Sequence, residues 1–436
     1  MPRLMKILLL LAMSGLTPAQ AQQAAVALPA PPAVPSATSE NARDVLSRIR
    51  PAVIQIQGFF GSNTAQSFHG TGFAVAAGGL FVTNYHVVAE HVQQPSKYRL
   101  GYRASDGTLG AITVLKVDVR HDLALVRATG FAPEPLKIEV AVPSKGERAY
   151  AVGFPLDVGL TITEGVSNGS VEESFDARIH YSGAINGGMS GGPALNGQGV
   201  VIGANVSGYR FEQLVSFLVP ARHIQALIEQ APETAVVPPA ELKKAVQTQV
   251  REHSAALLGA FNAMLPTQAM SGYRLPGKLA PFIDCNGSGL SSPEQPVQSI
   301  RVSCAAKAGL YLQQGLYSGD IRYAHYVLST DRLDAWRFTH RLSSLTVAQG
   351  AFGNQKHVGP YACSTRVVAL KGFDASVIVC SRNYRRMEGL YDFTVRVSSL
   401  NGAVRGFASH LDMYGLEFGP GMNFIRQYVD AMEYVP

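Results

Sequence analysis

A serine between paired glycines is the part of this sequence that most directly predicts chemistry. Ser190 lies in the stretch from Gly187 to Pro193, which reads Gly-Gly-Met-Ser-Gly-Gly-Pro. Glycine lets the backbone turn tightly beside the hydroxyl, and neighbouring amide N–H groups can point together at a developing oxyanion. The pattern therefore favours a nucleophile, although glycine-rich turns with a serine also occur in loops without a catalytic role.

Two upstream residues supply the partners that a nucleophilic serine needs, a histidine to take its proton and a carboxylate to orient that histidine. His86 lies in the β-rich run 81–88, which predicts a strand, and Asp122 stands before the apolar run 123–126. The order histidine, aspartate, serine is that of the two-barrel trypsin fold. Alone, the histidine would be a packed residue and the aspartate a strand-end cap, but together with Ser190 they predict a triad.

Three motifs in this order resemble those of the HtrA/Deg-like branch of trypsin-fold serine peptidases. They are Thr-Asn-Tyr-His-Val-Val around His86, His-Asp-Leu-Ala-Leu-Val around Asp122, and Ala-Ile-Asn-Gly-Gly-Met-Ser-Gly-Gly-Pro around Ser190. The segments 69–73, 153–155 and 216–220 resemble further strands and turns of the same fold. The resemblance covers about residues 40–232 and implies a serine-type endopeptidase with polypeptide substrates.

The resemblance also implies a role for each site residue. Ser190 attacks the scissile carbonyl, His86 shuttles the proton and Asp122 orients the histidine. The backbone N–H groups of Gly188 and Ser190 form the oxyanion hole. Met189 stands where this branch usually has asparagine, and we expect activity to survive because the donors are backbone groups.

Ala184 lies six residues before Ser190. In the resembled family this is the base of the substrate pocket for the P1 side chain, which precedes the cut bond. A pocket for basic residues would need an acid there, and a pocket for glutamate would need a histidine or a cation. The uncharged alanine therefore predicts small or aliphatic, uncharged P1 residues.

The N-terminus predicts export. Residues 1–21 have Arg3 and Lys6 before the apolar run 7–13 and end in Ala-Gln-Ala, which is typical of a signal peptide. The run is too short to span a membrane, and no later stretch reaches about 18 apolar residues. We therefore expect a periplasmic or secreted protein without a transmembrane anchor.

The 436-residue length favours two or three domains. Residues 22–39 form a Pro/Ala linker, and Ser39 is expected to cap a short helix leading into the barrels. Short β-branched runs broken by Gly, Asn and Pro predict a trypsin-like peptidase domain over 40–232, with polar loops at 161–173. Residues 233–266 are expected to form a linker and a long connecting helix.

Residues 267–436 predict a β-rich or α+β C-terminal domain, which makes the chain mainly β. This segment contains all four cysteines, Cys285, Cys304, Cys363 and Cys380. An even count in an exported chain favours disulfides over metal ligands, and proximity favours pairing Cys285 with Cys304 and Cys363 with Cys380. A Gly-Leu-Tyr triplet follows each pair, at 315–317 and 389–391, which suggests two weak repeats.

Other function classes have less support. The net charge of +6 is modest for this length, and we interpret the cluster Arg382, Tyr384, Arg385 and Arg386 as a solvated turn, so no nucleic-acid partner is expected. No cofactor or metal is expected. His121 is interpreted as an exposed neighbour of Asp122, His253 as a packed histidine, and His69 and His91 as surface or packing residues.

The C-terminal domain leaves one alternative open. HtrA-like enzymes commonly carry peptide-binding PDZ domains, but this chain has no Gly-Leu-Gly-Phe loop. The oligomeric state is left undetermined. The alternative function is a binding or chaperone-like module that keeps the peptidase fold without turnover, because the oxyanion loop is not preformed or the C-terminal domain occludes the cleft.

Overall fold

Two closed six-stranded barrels form the first part of the computed structural model, which describes residues 37–208, 214–232, 236–292, 294–346, 355–400 and 402–435. The predicted signal peptide and most of the predicted linker lie outside the described residues. The strands of the first barrel are β1 (Val53–Phe60), β2 (Gln66–Ala76), β3 (Leu80–Thr83), β4 (Tyr98–Ala104), β5 (Leu109–Asp118) and β6 (Leu123–Ala128). The strands of the second barrel are β7 (Arg148–Gly153), β8 (Thr161–Ser170), β9 (Ile179–Tyr181), β10 (Pro193–Asn196), β11 (Val201–Gly208) and β12 (Ser216–Pro220).

Strand β8 corrects one prediction, because the polar run at 161–173 was expected to form loops. It pairs antiparallel with β7 from Gly153 opposite Thr161 to Arg148 opposite Val166. The second barrel cannot close between β7 and β9 without this strand, so tertiary pairing overrides its polar composition.

Three helices accompany the barrels: α1 (Ala37–Ile49), α2 (Tyr85–Gln93) and α3 (Ala221–Glu229). Helix α1 begins two residues before the predicted cap Ser39, and it buries Val45 and Ile49 at helical spacing against a core shared by both barrels. Helix α2 corrects a second prediction. The run 81–88 was expected to be a strand, but β3 ends at Thr83 and His86 lies in the first turn of a helix.

Helix α4 (Pro239–Gly259) is the connecting helix. It buries Leu242, Val246 and Val250 in a core that also holds the first barrel and α2. Two turns further on, Leu257 belongs to the core of the C-terminal domain. The helix therefore joins the two domains through one continuous apolar stripe.

The C-terminal domain is an α+β unit built on a seven-stranded antiparallel sheet with the strand order β15-β16-β19-β23-β22-β21-β20. Its strands are β13 (Thr267–Met270), β14 (Tyr273–Pro276), β15 (Ile283–Leu290), β16 (Gln298–Ala306), β17 (Leu310–Gln313), β18 (Leu316–Ser318), β19 (Asp320–Ser329), β20 (Ala362–Leu370), β21 (Phe373–Asn383), β22 (Leu390–Ser399), β23 (Arg405–Glu417) and β24 (Glu433–Tyr434). The helices α5 (Ala335–Ser343) and α6 (Phe418–Asp430) complete it.

Two disulfides join the cysteines in the predicted pairs. Cys285 lies opposite Cys304 across β15 and β16, and Cys363 lies opposite Cys380 across β20 and β21. The linked hairpins occupy opposite ends of the sheet, as two related halves would. The Gly-Leu-Tyr triplets differ, however, because 315–317 lies in the short β17–β18 hairpin and 389–391 begins the long strand β22.

The cluster around Arg382 was interpreted as a solvated turn, and this is wrong for two of its members. Arg382 and Tyr384 are buried. The Arg382 guanidinium lies 2.8 Å from a carboxylate oxygen of Asp392, and the Tyr384 hydroxyl donates to the other oxygen at 2.8 Å. The charge is thus paired inside the domain.

In the part of the chain that the structure describes, no helix is long and apolar enough to cross a membrane.

Candidate active site

Asp122 and the first turn of α2 bring the predicted acid and base together. The His86 Nδ1 atom lies 2.6 Å from Asp122 Oδ2, and the His86 backbone N–H donates to Oδ1 at 2.9 Å. Helix α2 leaves its first N–H groups without partners inside the helix, so the carboxylate also caps the helix that carries the histidine. The Asn84 side chain donates to the Asp122 carbonyl at 2.7 Å and holds the aspartate turn in place.

Asp122 has an unusual backbone conformation that directs its carboxylate toward α2. Its φ of 59° is in the left-handed region, which aspartate tolerates better than most residues because its short side chain bonds locally. The turn immediately precedes β6 and aims the carboxylate at α2. The sequence predicted that Asp122 immediately precedes a strand, and the structure confirms this because β6 begins at Leu123.

The electrostatics of His86 suit a proton acceptor. Burial acts to lower the pKa of His86, but the charge of Asp122 and its hydrogen bond outweigh burial, and the pKa is raised above the usual 6.5. The side chain stays 29% exposed, so a substrate can reach it. With Nδ1 held by Asp122, the other ring nitrogen is available to accept a proton.

The glycines around Ser190 are required by close packing. Gly188 has a φ of 98°, and a Cβ there would lie 2.2 Å from the Phe154 carbonyl oxygen. A Cβ on Gly191 would lie 2.3 Å from Thr83 Oγ1, and one on Gly192 would lie 2.0 Å from the Val152 carbonyl oxygen. A real Cβ cannot approach other atoms this closely, so only glycine lets this turn pack between the barrels.

Thr71 on β2 connects the first barrel to this turn. Its hydroxyl donates to the Gly188 carbonyl at 2.7 Å, and its backbone N–H donates to the Ser190 carbonyl at 2.8 Å. The same hydroxyl accepts from the Phe154 N–H at 3.1 Å. The residue pattern around Thr71 does not predict this role, because the bonds are made to residues more than 80 positions away.

Thr71 bonds to the carbonyl groups of Gly188 and Ser190 and leaves the N–H groups of these residues without a bond to it. Within the described residues, neither the Gly188 nor the Ser190 N–H donates to a protein acceptor, whereas the Met189 N–H donates to the Asn186 carbonyl at 3.0 Å. Two unpaired N–H groups beside the predicted nucleophile are what an oxyanion hole needs. The Met189 side chain is buried in the core of the second barrel.

Ser190 is not hydrogen-bonded to His86 in this structure. Among the described residues, its hydroxyl donates to the Val206 carbonyl at 3.3 Å. The structure therefore joins two of the three predicted triad residues directly and holds the third on the second barrel. Hydrogen bonds of catalytic groups are often long or absent without substrate and form only in the complex.

Ala184 lies on a framework of hydroxyl groups. The Thr163 hydroxyl donates to the Ala184 carbonyl at 2.9 Å, and the Tyr181 hydroxyl donates to the Thr163 carbonyl at 2.8 Å. Glu164, the next residue on β8, is paired with Arg148 at 3.2 Å. The backbone of Ala184 is thus held by Thr163, and the carboxylate of Glu164 has its own cationic partner.

Two other histidines of the peptidase part, His91 and His121, have structural partners. His121 was interpreted as an exposed neighbour of Asp122, but it is half-buried, lies 2.7 Å from Asp118 and stacks on His223 with ring centroids 3.7 Å apart. His91 Nδ1 lies 2.6 Å from the Tyr98 carbonyl oxygen. These contacts fit packing roles.

Known proteins match the two-barrel part of the chain. A family model described as "Trypsin-like peptidase domain" matches residues 70–203. Serine protease HTRA1 of Xenopus tropicalis is 31% identical over 202 residues, which cover 43% of this chain and 42% of that protein. Putative protease Do-like 14 of Arabidopsis thaliana is 31% identical over 199 residues, covering 42% of this chain and 46% of that protein.

The matched stretch thus spans less than half the length of these relatives. Among solved structures, the crystal structure of Deg5 overlays with a TM-score of 0.39 at 24% identity, covering 44% of this chain and 97% of that one. The two barrels and the family match define this part of the chain as a trypsin-fold serine peptidase domain. Within that class, the domain is HtrA/Deg-like.

Proposed function

We propose that this protein is an exported serine endopeptidase that hydrolyses polypeptides through an acyl-enzyme. In this proposal Ser190 attacks, His86 takes and returns the proton, Asp122 orients His86, and the N–H groups of Gly188 and Ser190 hold the oxyanion. The observation that carries the proposal is the contact of 2.6 Å between His86 and Asp122 on the barrel facing the glycine-packed Ser190 turn. An enzyme of this kind would act on unfolded or exposed polypeptide, as in protein quality control.

A fluorophosphonate probe tests the proposal, because it forms a covalent bond only with an activated serine. The full-length protein should be labelled at Ser190, and Ser190→Ala should abolish labelling while the melting temperature is kept. The control is Ser182→Ala, at a partly exposed serine whose hydroxyl bonds to the backbone of Val166 on β8. Absence of labelling in the wild-type protein, or undiminished labelling of Ser190→Ala, would contradict the assignment.

The substrate preference follows from Ala184. Seating a charged P1 side chain beside this residue would desolvate the charge without a counter-charge from it, at a cost of at least several kcal/mol. We expect a preference of roughly a hundredfold or more for uncharged aliphatic P1 residues, since each 1.36 kcal/mol is about tenfold in rate. Profiling cleavage sites in a denatured protein mixture tests this, and dominant cutting after Arg, Lys or Glu would overturn it.

Export is supported by the two disulfides of the C-terminal domain. Disulfides persist in oxidising compartments such as the periplasm or the cell exterior. The signal sequence lies outside the described residues, so sequencing the N-terminus of the mature protein from its native host is the test. A mature protein that begins at Gln22 would support export, and a cytoplasmic protein retaining Met1 would contradict it.

One observation favours the alternative of a peptidase fold that binds polypeptides without turnover. The Ser190 hydroxyl donates to Val206 and not to His86. If this arrangement persisted with substrate, the serine would not be activated. The probe separates the two functions, because a binding module would capture denatured protein without being labelled.

A further inference from the structure

A short hairpin of the C-terminal domain packs against the helix that carries His86. The hairpin consists of β17 and β18, residues 310–318. The Tyr85 hydroxyl on α2 donates to the Leu312 carbonyl at 3.0 Å, and the Gln314 backbone N–H donates to the Glu90 carboxylate at 2.5 Å. Two successive turns of α2 are therefore hydrogen-bonded to the backbone of the C-terminal domain.

These bonds lie beside a buried apolar cluster. Leu310, Leu312 and Leu316 belong to the same buried cluster as Tyr85 and the first-barrel core. A buried hydrogen bond is costly to leave unmade, because the separated groups lose water as well as their partner. The hairpin and α2 are thus held in one relative position.

Tyr311 extends from this hairpin to the active site. Its ring lies edge-on to the His86 imidazole, with ring centroids 6.0 Å apart and an interplanar angle of 75°. Tyr317, on the other strand of the hairpin, packs against Tyr311 with centroids 5.4 Å apart. Such edge-to-face geometry is the favoured arrangement of aromatic rings and restricts both of them.

Asp122 holds one side of the imidazole at Nδ1 but does not by itself prevent the ring from tilting about that bond. We propose that Tyr311 is a positioning residue for His86, so that the C-terminal domain contributes to the geometry of the peptidase active site. This inference rests on the proposed peptidase function. The hairpin lies beside the imidazole without covering it, since the His86 side chain is 29% exposed.

The proposal has an electrostatic consequence. Asp122 is the titratable group that acts directly on His86, and those that interact with the neighbouring Tyr85 or Tyr311 are Asp122, Glu90, Tyr98 and Tyr317. Burial lowers the pKa of His86 and Asp122 raises it. Loss of the Tyr311 ring would admit water and relieve part of the burial, so the pKa of His86 should rise further.

The test compares full-length wild-type protein with Tyr311→Ala, Tyr311→Phe and Tyr311→Leu. The control is Trp336→Ala, which removes an exposed aromatic ring on α5 of the same domain. The readouts are kcat and KM for an unfolded polypeptide across the pH range, and the melting temperature. Tyr311→Leu keeps apolar bulk in the interface and replaces the alanine variant if that one is poorly folded.

We expect Tyr311→Ala and Tyr311→Leu to lower kcat about tenfold at little-changed KM, since small misplacements of reacting groups cost up to about a hundredfold. The acid limb of the alanine variant should also move to higher pH. Tyr311→Phe should stay within about twofold of wild type, because the ring is kept.

Four results would overturn the proposal: alanine and leucine variants that match Trp336→Ala, an unchanged acid limb in a folded alanine variant, a phenylalanine variant as impaired as alanine, or a gain of activity on removing the ring. The last result would show that the hairpin obstructs the cleft. If the wild-type protein neither cleaves polypeptide nor reacts with a fluorophosphonate, the proposed function itself fails, which is a different result from all four.

Discussion

The turn around Ser190 is held in place by close packing, whereas the two hairpins β15–β16 and β20–β21 are held by disulfides. Around Ser190, glycines let the backbone pack within contact distance of both barrels, and Thr71 bonds the turn through two of its carbonyls. In the C-terminal domain, β15 and β20 are the outer strands of the sheet and are mostly exposed, and a disulfide joins each to its neighbour. Tight packing leaves N–H groups free for a substrate, whereas a cross-link stabilises a strand with few buried contacts.

The largest expected effect concerns the nucleophile. Ser190→Ala should remove nearly all turnover, with a residual rate roughly 10³ to 10⁴ above water supplied by binding and the oxyanion hole. Kinetics on a fluorogenic polypeptide measure the loss, and an unchanged melting temperature shows that the fold is kept. Turnover of Ser190→Ala within tenfold of wild type would show that Ser190 is not the nucleophile.

The second prediction tests the packing of the turn with a matched pair of glycines. In Gly188→Ala the new Cβ would lie 2.2 Å from a carbonyl oxygen at a φ of 98°, so the oxyanion turn must shift. We expect kcat to fall about 10² to 10³-fold, the cost of losing one oxyanion donor.

The control for that variant is the adjacent residue. A Cβ on Gly187 would meet nothing within 4 Å, so Gly187→Ala should leave kcat within a few-fold of wild type. Equal losses in the two variants would show that close packing at Gly188 is not what shapes the turn.

The third prediction concerns the cross-links. The disulfides link cysteines 19 and 17 positions apart. For loops of this length the chain-entropy model gives about 3 kcal/mol of stabilisation each. Replacing Cys363 and Cys380 together by serine should destabilise the C-terminal domain by that order in denaturant unfolding, and the Cys285/Cys304 double variant should do the same.

Below the unfolding transition, both double-serine variants should keep kcat near wild type, since the disulfides lie outside the peptidase domain. A variant that stays folded but loses activity would show that a cross-linked strand also shapes the site. A variant as stable as wild type would show that the edge strand is held by other contacts.

The smallest effect concerns pH. His86 must be neutral to accept a proton, and its pKa is raised above 6.5 chiefly because Asp122 outweighs the opposing effect of burial. The kcat/KM should therefore fall about tenfold per pH unit in acid, with a midpoint above 6.5. An uncharged model ester serves as a control for substrate titration, and a midpoint well below 6.5 would contradict the role of His86.

Many features of the peptidase part were predictable because they depend on short sequence motifs. The glycines beside Ser190, the position of Asp122 before β6 and the apolar face of α4 each follow from residue type and short-range spacing. Two secondary-structure predictions were wrong. The run around His86 forms α2 because its N-terminus is capped from Asp122, and the polar run of β8 is a strand because the barrel needs it there.

In the C-terminal part, residue pattern identified strands, the connecting helix and the cysteine pairs but not their assembly. The buried Arg382 illustrates the limit, since a basic cluster looks solvated until Asp392 is seen across the next strand. An ion pair between neighbouring strands depends on register, which composition does not specify.

By itself, the sequence determined which groups are candidates for catalysis, because the serine, histidine, aspartate and glycine-rich turn of the proposed site are properties of residue type and order. Only the tertiary structure decided how they are held. Thr71 reaches the Ser190 turn from the other barrel, and Tyr311 reaches His86 from another domain. Such contacts join residues more than a hundred positions apart, and their free energy comes from burial and geometry that exist only once the chain has folded.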